Sequence, residues 1–595
     1  LRGDTSSDAF EQRPDWEHAT VVSGDEWRRL TTSFLDELAP EQPLQGVYYQ
    51  AFLADGVVYR DADGVPRLSA FDEHPADVEV CERYSLEETL ELSAEHFEKC
   101  LRDLYPGRTL FVLMTHSPRR VISPVLLDIR KKRCVWLIPA ALQDSTEKAP
   151  ALSLTLEAAS GLLPEAHGVA LLKNPVSSAF RLADLCAVTV LRWAHLRLPR
   201  ISGALPPLNN SQGMDLAAWE RWLDEYTGTR QQPGSLKLLI DGEQFFTRMQ
   251  EAFHDATNKI DVQMFIFDRD DVALEIADQL KQRSSEIPVR VIYDRLGSIS
   301  GGLSPPATPL PAGFVAPTSI STYLSEDSRV KVRSSLNPWL THNHSKLVLV
   351  DGRTAWVGGM NFGREYRYEW HDTMVEIQGP VVKSLQRDFR RSWAHAGPLG
   401  DLAYLAVLLS TSGITNPVLP AESSSGVRLL PTRTAWKPFA AAVSGALRMA
   451  QNRIYVENPY LFDKRTILQL AYARRRGVDV RVVLPRVNDF KPGERAALVI
   501  ANYLLANGVR VYFYPGMTHT KALLADGWVC LGSGNMNHLS LRVNHELNVG
   551  TGEPEFVGQV EHQLFEADFA RSLELREPIN VDLVDLVTNL LLEGP

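Results

Sequence analysis

A histidine and a lysine two residues apart, with an aspartate five residues further on, occur twice in the chain. His344, Lys346 and Asp351 lie in HSKLVLVD, and His519, Lys521 and Asp526 lie in HTKALLAD. On an extended backbone alternate side chains share a face, so each His–Lys pair projects together with Cα atoms about 6.6 Å apart. Phosphate suits such a pair: the ammonium neutralises a non-bridging oxygen, and the imidazole attacks phosphorus or protonates the leaving oxygen. One motif brings one histidine. Displacement through a covalent intermediate wants a nucleophile on one side of phosphorus and an acid on the other, and a second copy facing the first supplies it.

The match extends downstream. GGMN at 358–361 returns as GSGN at 532–535, and the same eleven-residue step leads from Asn361 to Asp372 and from Asn535 to Glu546. Asp372 and Glu546 are therefore expected to hold the histidines in tautomer and orientation. Asn361, Asn535 and Ser533 add neutral donors for phosphate oxygens, and Gly359 is a supporting residue of the first turn. Asp351 and Asp526 end their strands before a glycine, which suits a turn better than direct chemistry. Five residues separate Asp526 from Gly532 and six separate Asp351 from Gly358, so the second turn is one residue tighter.

A metal is the rival for the first motif, since His342 and His344 alternate onto one face and could bind an ion with His371. The second copy has Met517 where the first has His342, a poor ligand for a hard or borderline ion, so the metal reading does not duplicate. The likeness of HNH at 342–344 to a nuclease string is letters without context. No metal and no cofactor are expected.

The elements that must position these residues repeat as well. KIDVQMFIFD at 259–268 matches RIYVENPYLF at 453–462, and VRVIYDRLGS at 289–298 matches VRVVLPRVND at 480–489, with helix-like stretches 271–284 and 464–476 between them. This βαβ rhythm predicts an α/β fold of two duplicated halves sharing one site, 236–396 and 427–595, joined by 397–426. Leu347 to Val350 are apolar on both faces, as in a central strand covered by helices. The Pro- and Ser-rich stretch 298–321 reads as a loop or lid. Residues 1–230 read as an α/β accessory domain, with strands expected at 46–54, 109–115 and 135–139 and an amphipathic helix at 85–104.

At 595 residues the chain exceeds one ordinary core, and its net charge of -11 gives no global attraction to nucleic acid or anionic lipid. The five cysteines form no CxxC pair, which disfavours zinc, and read as buried free thiols ahead of disulfides. The most apolar stretch, 182–198, carries Asp184 and Arg192 and reads as a buried or interfacial helix, not a span. The chain begins at Leu1, which leaves room for a leader or anchor removed upstream.

His-x-Lys-x4-Asp followed by Gly-Gly/Ser-x-Asn, present twice, resembles the phospholipase D superfamily over residues 236–595. WHDTMVEIQGP at 370–380 and SGNMNHLSLRVNHELNV at 533–549 resemble its bacterial cardiolipin synthase branch. The resemblance implies a phosphohistidine intermediate without metal, the family's histidines falling on His344 and His519, its lysines on Lys346 and Lys521, and its asparagines on Asn361 and Asn535. It inclines towards His344 as nucleophile and His519 as acid, then base. The implied substrate is a phospholipid such as phosphatidylglycerol. An alcohol acceptor gives transfer, water gives hydrolysis, and both stay open. The implied place is peripheral to a bacterial membrane, on either face. Trp339 and Tyr514 are candidates for lining an acyl-chain path. A nuclease on the same site, or a lipid-binding protein that has lost turnover, are the alternatives.

Overall fold

Twice along the chain, β-branched and apolar runs alternate with capped helices, and twice they assemble the same sheet. In the first, the strand order is 235–240, 373–378, 354–358, 347–350, 260–264, 289–294, 331–335. In the second it is 428–432, 546–551, 528–532, 522–525, 453–457, 479–485, 510–514, with 573–575 added at the edge. The βαβ pairs run parallel, Ile260–Met264 beside Val289–Asp294 and Arg453–Glu457 beside Asp479–Pro485. Each motif strand pairs antiparallel with the first member of its βαβ pair. This computed structural model describes residues 171–194, 198–301, 306–335, 337, 342–411, 417–420 and 425–581, and short strands between Arg2 and Trp136.

The crossover helices stand where the pattern predicts them, at Asp271–Ser284 and Lys464–Arg475, each begun by an aspartate, Asp270 or Asp463, that accepts a hydrogen bond from a first-turn N–H. Motif strands Leu347–Val350 and Ala522–Ala525 are buried throughout. One face of each faces the other half: Leu347, Leu349, Val357 and Val375 share a core with Ala522, Leu524, Leu531 and Leu547. Burying such side chains contributes about 1.5–3 kcal/mol each, which makes the seam between the sheets a rigid mount.

Asp351 and Asp526 both adopt left-handed backbone, φ 55° and 52°, at the turns that close the motif strands. The Asp351 carboxylate accepts from the N–H groups of Thr257, Asn258 and Lys259. That of Asp526 accepts from Met214, Gln451, Asn452 and Arg453. Each aspartate therefore ties its motif strand to the start of the neighbouring strand.

By its contacts the chain divides into two compact units, residues 1–168 with 313–320, and residues 169–312 with 321–595. The first contains an antiparallel sheet of Pro66–Ser69, Gly56–Arg60 and Val80–Tyr84, and another of Arg2–Asp4, Arg133–Trp136, Val125–Asp128 and Phe111–Leu113. The strands expected at 46–54, 109–115 and 135–139 overlap Ala51–Phe52, Phe111–Leu113 and the end of Arg133–Trp136, and the rest of those stretches lies outside the described residues. The helix expected at 85–104 lies outside the described residues. In the second unit, Trp219 and Leu223 of helix Leu216–Thr227 belong to the core of the second sheet.

Cys530 is a buried free thiol as expected, whereas Cys186 is free and exposed on helix Pro175–Ala194. Among the described residues no helix is long and apolar enough to cross a membrane. The joining segment contains the helix Gly400–Thr411.

Candidate functional site

Each motif histidine is stitched into the opposite half. The His344 N–H donates to the His545 carbonyl at 2.8 Å, and the His519 N–H donates to the His371 carbonyl at 2.7 Å. The rings are crossed in the same way. His344 Nδ1 lies 3.0 Å from Glu546 Oε2, and His519 Nδ1 lies 2.7 Å from Asp372 Oδ2. The carboxylate that follows one motif thus orients the histidine of the other, and neither half holds a complete pair by itself. With a carboxylate on Nδ1, Nε2 of each ring is the atom left for chemistry.

Burial sets the charge states. It pushes His344 down to about 4 against the pull of Glu546, and holds His519 well below the usual histidine range, with Lys521, Lys346 and His344 adding to the effect. Both rings are therefore neutral at rest, and the lysine of each pair also acts on the histidine of the other. Burial lowers Lys346 well below the ordinary lysine value and Lys521 to about 8. Each ammonium donates to the carbonyl of its own histidine, Lys346 Nζ to His344 at 2.8 Å and Lys521 Nζ to His519.

The two carboxylates differ. Burial raises Asp372 to about 7, despite Lys521 and a hydrogen bond from the Thr373 N–H. Burial would raise Glu546 too, but His344, Lys346 and the Ser533 hydroxyl hold it below the usual value. Ser533 Oγ donates to Glu546 Oε2 at 2.5 Å and accepts from the Leu547 N–H at 3.0 Å. It braces the carboxylate instead of facing phosphate, which departs from the expected donor role. Gly359 occupies the matching place in the first copy, where a Cβ would sit 2.2 Å from Asp372 Oδ1. No hydroxyl fits there.

Asn361 Oδ1 accepts from the Ile266 N–H at 3.0 Å, and Asn535 Oδ1 is buried without a hydrogen-bond partner. Around the rings stand aromatics, of which Tyr366 and Trp370 belong to the aromatic run 365–370 beside the first motif, while Phe265 and Tyr460 come from outside the motifs. The centroid of Phe265 lies 4.5 Å from that of His344, and Tyr366, Trp370 and Tyr460 lie 5.5, 5.3 and 6.3 Å from His519. Tyr460 Oη donates to Asp489 Oδ1 at 2.5 Å. A signal existed: Phe265, Tyr460 and Asp489 stand where the repeat breaks, opposite Pro459, Ile266 and Ser298. Tyr514 stacks on His371 at 4.8 Å, while Trp339 lies outside the described residues.

His371 and His545 occupy equivalent places, one residue before the crossed carboxylates, in opposite surroundings. His371 Nδ1 lies 2.6 Å from Asp241 and Nε2 3.0 Å from Asp568; these bonds outweigh burial and raise it well above the histidine range. His545 Nε2 meets Arg181 at 3.0 Å and Thr434 at 3.2 Å; burial, Arg181 and Arg433 hold it well below. The three histidines of the rival metal reading turn to different partners, His342 to Asp294, His344 to Glu546 and His371 to Asp241 and Asp568. Among the described residues two groups lie close enough to share a cation, His371 with Glu457 and Asp568, and Asp268 with Asp270 and Glu365. In the first His371 already pairs with Asp568, and in the second Asp270 caps a helix.

Residues 249–393 and 443–568 match the family model described as cardiolipin synthase, PLD-like domain. The chain is 30% identical over 407 residues to cardiolipin synthase A of Pseudomonas fluorescens (strain SBW25), covering 66% of this chain and 78% of that protein. It is 32% identical over 399 residues to cardiolipin synthase A of Pseudomonas entomophila (strain L48), covering 62% and 78%. In structure it is similar to phosphatidylserine synthase of Haemophilus influenzae Rd KW20, with a TM-score of 0.47 and 14% identity, covering 61% of this chain and 93% of that one.

Proposed function

The chain belongs to the phospholipase D-like cardiolipin synthase family, and from that premise we propose that it transfers a phosphatidyl group from one phospholipid to the hydroxyl of an acceptor through a phosphohistidine. The observation that carries this is the crossed arrangement, in which two neutral imidazoles each expose Nε2 and lean on a buried carboxylate through Nδ1. His344 Nε2 attacks the phosphorus, and the bond from phosphorus to the head-group oxygen breaks. The His519–Asp372 pair gives that oxygen its proton, so the head group leaves as a neutral alcohol. Lys346 and Lys521 offset charge on the non-bridging oxygens, with Asn361 and Asn535 as neutral donors. In the second half-reaction the acceptor hydroxyl gives its proton to His519, attacks phosphorus and frees His344.

Phosphatidylglycerol fits as donor, and a glycerol-type hydroxyl as acceptor; water in its place would give hydrolysis. Residues 236–396 and 427–595 act as the two halves, 397–426 as their connection and 1–168 as an accessory region; of the expected 1–230, residues 169–230 belong to the same compact unit as the halves. The protein works at the surface of a bacterial membrane. The test supplies separate pools of phosphatidylglycerol, other phospholipids and single-stranded DNA, without added metal, and identifies products by mass. A product with two phosphatidyl groups, formed with free glycerol, is expected. Cleaved DNA beside untouched lipid would replace this reading with a nuclease.

A further inference from the structure

Helices Pro175–Ala194, Val382–Ala396 and Gly400–Thr411 enclose a cavity of about 370 Å³ that none of the proposed catalytic side chains lines. Val176, Phe180, Leu402 and Leu405 form its apolar part, and they are among the most exposed apolar residues described, at 59%, 51%, 71% and 49%. They stand at the mouth. Arg181, which is 1% exposed, lines the deep side with His545, Arg433 and Arg391. The cavity is thus greasy outside and cationic inside.

The counter-charges nearby are already engaged. Asp388 pairs with Arg433, and Asp401 accepts from the N–H groups of Val176 and Ser177 at the start of helix Pro175–Ala194. Arg391 Nε is buried without a hydrogen-bond partner. The apolar mouth continues outward: Leu399 and Leu409 are 63% and 65% exposed, and Leu172 is 85% exposed. Helix Gly400–Thr411, DLAYLAVLLST after its glycine, has Asp401 as its one charged residue. Leu402, Leu405 and Leu409 fall three and four residues apart on this helix and so share a face, and exposed leucines at that spacing mark an interaction surface. Helix Val382–Ala396, which packs beside it, carries Lys383, Arg387, Arg390 and Arg391 against Asp388, in a protein whose net charge is -11. Apolar side chains rimmed by a local cationic excess complement the anionic surface of a bilayer.

We propose that this cavity and the leucines around it dock an anionic phospholipid of the bilayer, its phosphate against Arg391 and Arg181 and its upper acyl chain along Phe180 and Leu402. The site is separate from the crossed histidines but coupled to their mount, since Arg181 bonds His545 and the His545 carbonyl receives the His344 N–H. The choice of a lipid rests on the functional reading above. The test reads binding alone, so a protein that docks but transfers nothing would sink that reading and leave this one standing.

The full chain is sedimented with phosphatidylcholine vesicles, with or without phosphatidylglycerol, and with glycerol 3-phosphate as a soluble competitor. Anionic vesicles are expected to bind at least about tenfold more tightly than neutral ones, with Arg391→Glu abolishing the preference. Leu402→Ser with Leu405→Ser is expected to weaken binding to both by about tenfold or more, at an unchanged or higher melting temperature. A label on Leu402→Cys, corrected for the wild-type protein's exposed Cys186, should react quickly alone and slowly with vesicles. Wild-type binding in these variants would overturn the proposal. So would full competition by glycerol 3-phosphate, or slow labelling without vesicles, which would place the face beneath the protein's own residues.

Discussion

The two halves carry the same framework and different second layers. In the first pair, His344 leans on a glutamate that also receives the Ser533 hydroxyl and stays ionised. In the second, His519 leans on an aspartate with no hydroxyl beside it, because Gly359 stands where Ser533 stands, and burial raises that carboxyl to about 7. A proton on Asp372 and one on His519 belong to one coupled unit, so this pair keeps a transferable proton near neutral pH. The His344–Glu546 pair holds only the proton on Nδ1 and leaves Nε2 bare. Duplication supplied two like mounts, and in the proposed mechanism one serine in place of one glycine helps to make one an attacking pair and the other a proton-donating pair.

The largest effect follows from exchanging nothing but the rings. His344→Ala is expected to lower turnover by at least about 10⁴-fold and to leave no covalent phosphoryl adduct. His519→Ala loses the acid, worth about 10²–10⁴-fold for an alkoxide leaving group, yet still forms an adduct on His344 from an aryl phosphodiester whose leaving group needs no proton. Intact-protein and peptide mass after a rapid quench separates the two. An adduct on His519 in the His344→Ala protein, with none in the reciprocal variant, would reverse the assignment and with it the comparison.

A smaller effect comes from the carboxylates, and its sign is fixed. Asp372 is raised, so the donating pair holds its proton below about pH 7 and loses it as pH rises through that value; the capture step with an alkoxide leaving group should then fall about tenfold per pH unit. His344 is lowered to about 4, so attack fails only as pH falls through that value. Single-turnover rates against pH should give limbs near those two values. Asp372→Asn should remove the alkaline limb and Glu546→Gln should alter the acid one. Movement of both limbs in either variant would mean that the pairs do not divide the work.

Much of this site was legible because the repeat could be laid on itself. The motif pairs, Asn361 and Asn535, and the carboxylates at equal steps stand out by alignment alone, and a run apolar on both faces reads as a central strand. The crossing was not legible. Equal spacing says that Asp372 and Glu546 correspond, but which histidine each reaches depends on sheets packed face to face through Val357, Val375, Leu531 and Leu547. Ser533 was misread for a related reason, since a serine after glycine fits phosphate and carboxylate alike until the neighbouring strand is placed. Phe265, Tyr460 and Asp489 escaped because a search for repeats is blind to residues that differ between copies.

The smallest effect sharpens the comparison most, because it touches only the difference between the copies. Ser533→Gly gives the second copy the residue of the first and removes one hydrogen bond to a buried carboxylate, a change of about 1–2 kcal/mol or roughly a five- to thirtyfold loss in the attack step. Without that donor the Glu546 anion is less well held and its carboxyl moves up. A carboxylate with one donor fewer pulls harder on the His344 Nδ1 proton and favours the imidazolium, so the acid limb should shift to higher pH. Asp372 lies on the other pair, and the alkaline limb should stay near pH 7. Ser533→Thr, which keeps the hydroxyl, should retain the wild-type acid limb even if crowding slows the reaction. An alkaline limb that moves with the acid one in Ser533→Gly, or an acid limb that shifts equally in Ser533→Thr, would show that the serine fills space and does not distinguish the halves.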